Sequence, residues 1–122
     1  MLQRGHQLLR VEGCVLGMVL LAALVQQMAE ALSGIALAQL IRPGCPVIFG
    51  SFLSNIDMQS GWPTFGTPES GIGLLCTGQI ARRFNLPFRS GGGLTSSQVP
   101  DAQAGYEALM TLMPTFLAGT NW

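Results

Sequence analysis

Asp57, Trp62 and Phe65 put an acid and two aromatic rings into one short stretch, among the small polar groups Asn55, Ser60 and Gly61. A carboxylate beside ring faces can hold a cationic ligand through charge and ring-face attraction. The plainer reading carries equal weight: the rings cover the end of a sheet and Asp57 caps a turn. Gly91-Gly92-Gly93 invites a phosphate-loop reading, since free backbone donors can cradle anions. Set against GxGxxG, however, the register runs Gly91, Gly93 and then Ser96, and no GK[ST] follows, which favours a strand-to-helix turn. His6 has no companion ligand or acid cluster and reads as a solvated side chain, and no Ser–His–Asp or Cys–His arrangement can be assembled. The odd set Cys14, Cys45 and Cys76 lacks CxxC or Cys–His spacing, which argues against a disulfide framework and a metal site. Their even spacing is no repeat, because GCVLGMV, GCPVIFG and LCTGQIA share little else. Reduced, mostly buried thiols in the cytoplasm are the expectation.

The elements that position these residues follow from composition and punctuation. The 122 residues hold six basic and six acidic groups, 48% hydrophobic residues, sixteen glycines and seven prolines. Zero net charge and the absence of lysine leave no electrostatic footprint for nucleic acid or anionic lipid. Such apolar content demands a core, and so many turn residues fit short alternating elements better than a plain helical bundle.

Arg4 and Arg10 before the apolar stretch 14–25, with Ala29-Glu30-Ala31 as a cleavage site, outline a secretory leader. Glu12 and the helical spacing of Leu21, Val25, Ala29, Leu32, Ala36 and Leu40 favour instead one core helix, buried on most sides. The stretch 14–25 is also short for a membrane span, which needs about 20 apolar residues. Arg42-Pro43-Gly44 stops this helix. Residues 46–52, apolar without alternation, then read as a parallel strand buried on both faces, followed by a loop over 53–66.

Thr67-Pro68-Glu69 opens a second helix running to about Phe84, whose glycines 71, 73 and 78 imply close packing. Residues 86–90 form a second strand, and Pro100-Asp101 opens a third helix ending near Leu112, with its tail disturbed by Pro114. The order indicates α/β units around a parallel sheet. Two strands close no sheet: a (β/α) barrel takes about 250 residues and a doubly wound sheet usually has about five or more strands, so as an independent protein the chain reads as incomplete.

Several of these segments together carry a resemblance. Pro43-Gly44-Cys45-Pro46-Val47-Ile48-Phe49-Gly50-Ser51-Phe52 is followed by Asp57-Met58, Ser60-Gly61 and Phe65-Gly66-Thr67-Pro68-Glu69. Pro100-Asp101-Ala102-Gln103-Ala104-Gly105-Tyr106-Glu107 and Ala118-Gly119-Thr120-Asn121 complete the series. From about Leu20 to Asn121 the chain resembles the trimethylamine methyltransferase family, including its relatives acting on glycine betaine. The resemblance implies a partial TIM (β/α)8 barrel over residues 14–122, with about two strands and three helices, after an unmatched segment 1–13. It implies movement of a methyl group from a small methylated amine to a corrinoid on a separate protein, whose Co(I) is the nucleophile. No corrinoid is then bound directly by this chain.

Aromatics and an acid at the barrel mouth suit that chemistry, so Asp57, Trp62, Phe65 and Glu69 are expected to line the substrate pocket. Arg89 and Gly92 join them from the next loop; no catalytic residue is assigned. Glu69 reads better as a helix-start acid, and Arg89 could equally pair with a neighbouring acid. The chain departs from the family pattern at Gly17-Met18-Val19-Leu20, and at Thr95-Ser96-Ser97-Gln98, where an acid and a base are missing. The resemblance further implies a cytoplasmic protein with no nucleic-acid or membrane partner, and homo-oligomerisation at full length. Two alternatives stand beside it: a non-catalytic remnant or small α/β protein that folds only with a partner, and a secreted protein with a cleaved leader.

Overall fold

The computed structural model describes the backbone of residues 2–50 and 52–121, and side chains from residue 17 onward within those ranges. The expectations for His6, Cys14 and Glu12 therefore lie outside the described side chains.

Helix α1 spans Leu2–Ile41, built from leucine, alanine, methionine and glutamine with no proline before position 43. It ends where Gly44 takes a positive φ of 79°. Gln39 closes that end with both ends of its amide: Oε1 accepts from the Gly44 N–H at 2.9 Å and Nε2 donates to the Cys45 carbonyl at 2.6 Å. The expected burial on most sides is not what the structure shows. Leu24 is buried and Ala31 and Ile35 lean on the core, while Met18, Val25, Leu37, Leu40 and Ile41 stand exposed. A helix apolar all round needs partners all round, and the described chain supplies one side. The apolar window is also longer than residues 14–25 suggested. Gly17–Ile41, 25 residues with mean hydropathy 1.5, is long and apolar enough to cross a membrane by length and composition.

Strands β1 (Phe49–Gly50) and β4 (Phe88–Arg89) lie inside the two expected strand segments and pair in parallel, Phe49 opposite Phe88 and Gly50 opposite Arg89. Between them the expected loop contains a short antiparallel hairpin, β2 (Asn55–Ile56) with β3 (Pro63–Thr64). Helix α2 (Pro68–Arg83) starts as its sequence says: Thr67 is the N-cap and its hydroxyl accepts from the Ser70 N–H.

Helix α3 (Ala102–Leu117) is capped by Asp101, which accepts from the Ala104 N–H at 2.9 Å. It runs on past the expected end at Leu112, straight through Pro114. Gly71 leaves room for that ring against α2: a Cβ there would stand 3.1 Å from it. Gly78 opposes Ala118 in the same way, with the Ala118 carbonyl 3.0 Å from where a Cβ would stand. The Arg82 guanidinium then donates to that carbonyl and closes the end of α3. The close packing expected of the α2 glycines is thus present at Gly71, Gly73 and Gly78.

The core is Phe49, Ala81, Phe88 and Ala118, with Ala31, Ile35, Leu74, Leu75, Ile80 and Leu86 against it. It lies between one face of the parallel pair and the three helices. On the edge of β4 away from β1, Asn121 bonds Phe88 twice at 2.9 Å: its N–H donates to the Phe88 carbonyl and its Oδ1 accepts the Phe88 N–H.

Candidate functional site

Alternation along the two parallel strands decides which residues face the helices. Phe49 and Phe88 are buried toward them, so Gly50 and Arg89 face the opposite side of the sheet. At the C-terminal ends of these strands that side holds an open hollow of about 580 Å³, lined by Gly50, Phe52, Arg89, Ser90, Gly92 and Leu94. A Cβ at Gly50 or Gly92 would meet nothing within 4 Å, so the hollow is roomy at its glycines. The Phe52 ring meets Phe65 edge to face, a favoured ring geometry, with centroids 5.9 Å apart.

A second hollow of about 570 Å³ opens beyond Phe65, between the hairpin and the loop after β4. Asp57, Ser60, Trp62 and Phe65 line it from one side, Thr95, Ser96 and Gln98 from the other. Asp57 is turned into its own turn. Its carboxylate accepts from the Ser60 hydroxyl at 2.5 Å, the Gln59 N–H at 3.2 Å and the Ser60 N–H at 3.1 Å. The Ser60 hydroxyl above all, then these backbone donors, hold its carboxyl below the usual carboxylate range. Trp62 is 74% exposed on the rim.

The six expected pocket residues thus fall into three places. Asp57, Trp62 and Phe65 share the hairpin hollow, with the Phe65 ring against Phe52 of the other; Arg89 and Gly92 share the strand-end hollow. Glu69 is apart. The Asn55 amide donates to its Oε2 and to Thr67 Oγ1, both at 3.3 Å. This places it at the start of α2, where an acid complements the helix dipole. Its nearest hollow is an apolar groove against α1, with Leu20, Ala23 and Leu53.

One polar stripe went unread in the sequence: Glu107, Thr111 and Thr115, four residues apart on an otherwise apolar helix. Glu107 Oε2 accepts from Thr95 Oγ1 at 2.8 Å and the Ser96 N–H at 2.6 Å, while Oε1 accepts from Gln103. The Ser96 N–H foremost, then the Gln103 amide, hold this carboxyl below its usual range. Thr111 Oγ1 accepts from the Leu94 N–H, and Thr115 Oγ1 donates to the Gly91 carbonyl at 2.7 Å. The stripe therefore straps the loop 91–97 onto α3. The chain of contacts continues to the rings, because Ser96 Oγ accepts the Phe65 N–H at 3.0 Å. The glycine run is a strapped turn well before α3, not the first turn of a helix.

Comparison with known proteins places this arrangement. Residues 10–122 match the family described as trimethylamine methyltransferase (MTTB). The glycine betaine methyltransferase of Desulfitobacterium hafniense (strain Y51) is 51% identical over 96 residues, covering 79% of this chain and 20% of that protein. The trimethylamine methyltransferase MttB of Methanosarcina barkeri is 40% identical over 102 residues, 84% of this chain and 21% of its own. The proline betaine:corrinoid methyltransferase of Eubacterium limosum is 39% identical over 103 residues, again 84% and 21%. The chain spans about a fifth of the length of each of these relatives. With the family match running from Arg10 through both hollows and all of α2 and α3, the chain belongs to the trimethylamine methyltransferase family.

Proposed function

We propose that this chain is part of a (β/α)8 barrel methyltransferase that moves a methyl group from a methylated amine, of trimethylamine or glycine betaine type, to a corrinoid protein. The observation that carries it is the parallel β1–β4 pair, with Phe52, Arg89 and Gly92 gathered at its C-terminal end and Phe65 against Phe52. Barrel enzymes keep their chemistry at that end. Rings and small residues around an open hollow suit a methylated ammonium, which is bulky, cationic and poor in hydrogen-bond donors. The partner-borne corrinoid supplies the nucleophile when it docks.

The chain's own residues desolvate the ammonium against Phe52 and Phe65 and orient one methyl outward. Asp57 and Trp62 extend the mouth on the hairpin side, and Glu69 serves chiefly to start α2. The same reading takes residues 14–122 as one barrel domain, in the cytoplasm, oligomeric at full length, with no nucleic-acid or membrane partner.

Grafting residues 14–121 in place of the matching fifth of the Desulfitobacterium glycine betaine methyltransferase tests this. Methylation of a corrinoid protein from glycine betaine or trimethylamine by the folded chimaera is the expected result. A folded chimaera inactive with both amines overturns it. Glycine betaine is the first amine to assay, given 51% identity to that relative against 40% to the trimethylamine enzyme.

A second reading, a non-catalytic remnant that folds only with a complementary partner, is favoured by the exposed apolar surface of α1. It predicts no cooperative melt for the 122-residue chain alone, and a sharp reversible transition of a monomer ends it.

A further inference from the structure

The Arg89 side chain faces the strand-end hollow, and its guanidinium has no hydrogen bond or ion pair to any described residue. The acids among the described side chains are engaged elsewhere. Glu30 bonds Gln26, Asp57 its own turn, Glu69 the Asn55 amide, Asp101 the start of α3, and Glu107 the strapped loop. An exposed guanidinium on the face of the strand pair away from the helices, lining a hollow with an aromatic ring and glycines, lacks among the described residues the anion that its planar pair of donors is shaped to take. Arg82, by contrast, is spent on the Ala118 carbonyl. Across the ladder from Arg89 stands Gly50, whose missing side chain leaves that space free. Phe52 borders the same hollow and is 61% exposed.

Resting on the proposed amine chemistry, we infer that Arg89 is a carboxylate subsite, so that the hollow takes a zwitterion with a quaternary ammonium against Phe52 and a carboxylate on the guanidinium. A betaine carries both groups one carbon apart; trimethylamine carries only the first. Arg89 thus sets which methylated amine is accepted, and the methyl to be moved is held at a fixed distance from the anchored carboxylate.

The test titrates the full chain, by NMR, with glycine betaine and with choline, which shares the trimethylammonium but has no carboxylate. Glycine betaine is expected to bind about tenfold tighter, the scale of a charged hydrogen-bonded pair. Arg89→Gln brings the ratio of the two affinities to about one, and Arg89→Lys restores part of it. Phe52→Leu weakens both ligands together. An unchanged ratio in Arg89→Gln overturns the subsite, as does an equal fall for both ligands; in either case the amine reading stands. Absence of binding of either ligand to the folded wild-type chain, and to the folded chimaera that carries it, overturns both.

Discussion

Helices α1 and α3 are both rich in apolar residues, yet they meet the rest of the molecule in opposite ways. Helix α3 is joined to α2 by small residues, Gly71 against Pro114 and Gly78 against Ala118, and to the loop after β4 by the Glu107–Thr111–Thr115 stripe. Among the described side chains, helix α1 is buried at Leu24, leans on the core through Ala31 and Ile35, and leaves Met18, Val19, Leu21, Val25, Leu37, Leu40 and Ile41 exposed. Close approach and polar straps mark a neighbour that is within the chain. Uniform apolarity without either marks a face whose neighbours are not among the described residues.

This contrast is broken most severely at Gly66. It has a φ of +73°, and a Cβ there would stand 2.5 Å from Glu107 Cβ and 2.6 Å from its Cα. Gly66→Ala is expected to cost about 3 kcal/mol, from left-handed strain plus overpacking against backbone. The urea midpoint of the chain reads it. Next, Glu107→Ala removes the acceptor for Thr95, Ser96 and Gln103. A loss of about 1 kcal/mol is expected, since water can take over the exposed Ser96 and Gln103 donors. Faster hydrogen exchange at the Ser96 and Leu94 amides, with exchange in α1 unchanged, would locate that loss in the strap.

A milder effect comes from acid. Asp57, Asp101 and Glu107 all have carboxyls held below their ordinary range by hydrogen bonds. Groups depressed on folding contribute stability above their unfolded pKa, and it is lost as pH falls through the folded values. Loosening of the hairpin and the α3 strap is therefore expected below the usual carboxylate range, followed by the chemical shifts of Gln59, Ser60 and Ser96. An early loss of α1 instead would erase the distinction between the two regions. The smallest effect is expected at Leu40, which is 81% exposed. Leu40→Ser should change stability by less than about 0.5 kcal/mol while raising solubility. A large loss there would mean that α1 is covered in solution.

What could be read from the sequence was local. Thr67-Pro68 announced the start of α2, and Asp101 that of α3, because a cap and its first turn are neighbours in the chain. The two parallel strands were legible from their apolar runs. The hairpin was not, since each strand is two residues long and one contains Pro63, a poor strand signal. The run of α3 through Pro114 was not legible, and the ring packs against Gly71, far earlier in the chain, which no local pattern records. The burial of α1 was misjudged for a related reason: periodicity tells which residues want cover, and only tertiary structure tells whether cover is present. In the candidate site, residue types singled out two loops, and their joining through Ser96 and Phe65 is a long-range bond that no local pattern records. The Glu107 stripe was within reach, by its spacing alone.

Asn121 has a bearing on how this sheet meets other chains. Exposed strand edges template aggregation, because their free amides and carbonyls recruit any extended segment. At Phe88 that invitation is already answered by a carboxamide and a backbone N–H of the same molecule. The margin is therefore occupied from within: a newcomer beyond β4 must displace an intramolecular mimic or continue the line Asn121 has begun. Asn121→Ala would leave the Phe88 N–H without that acceptor and turn a guarded margin into an adhesive one.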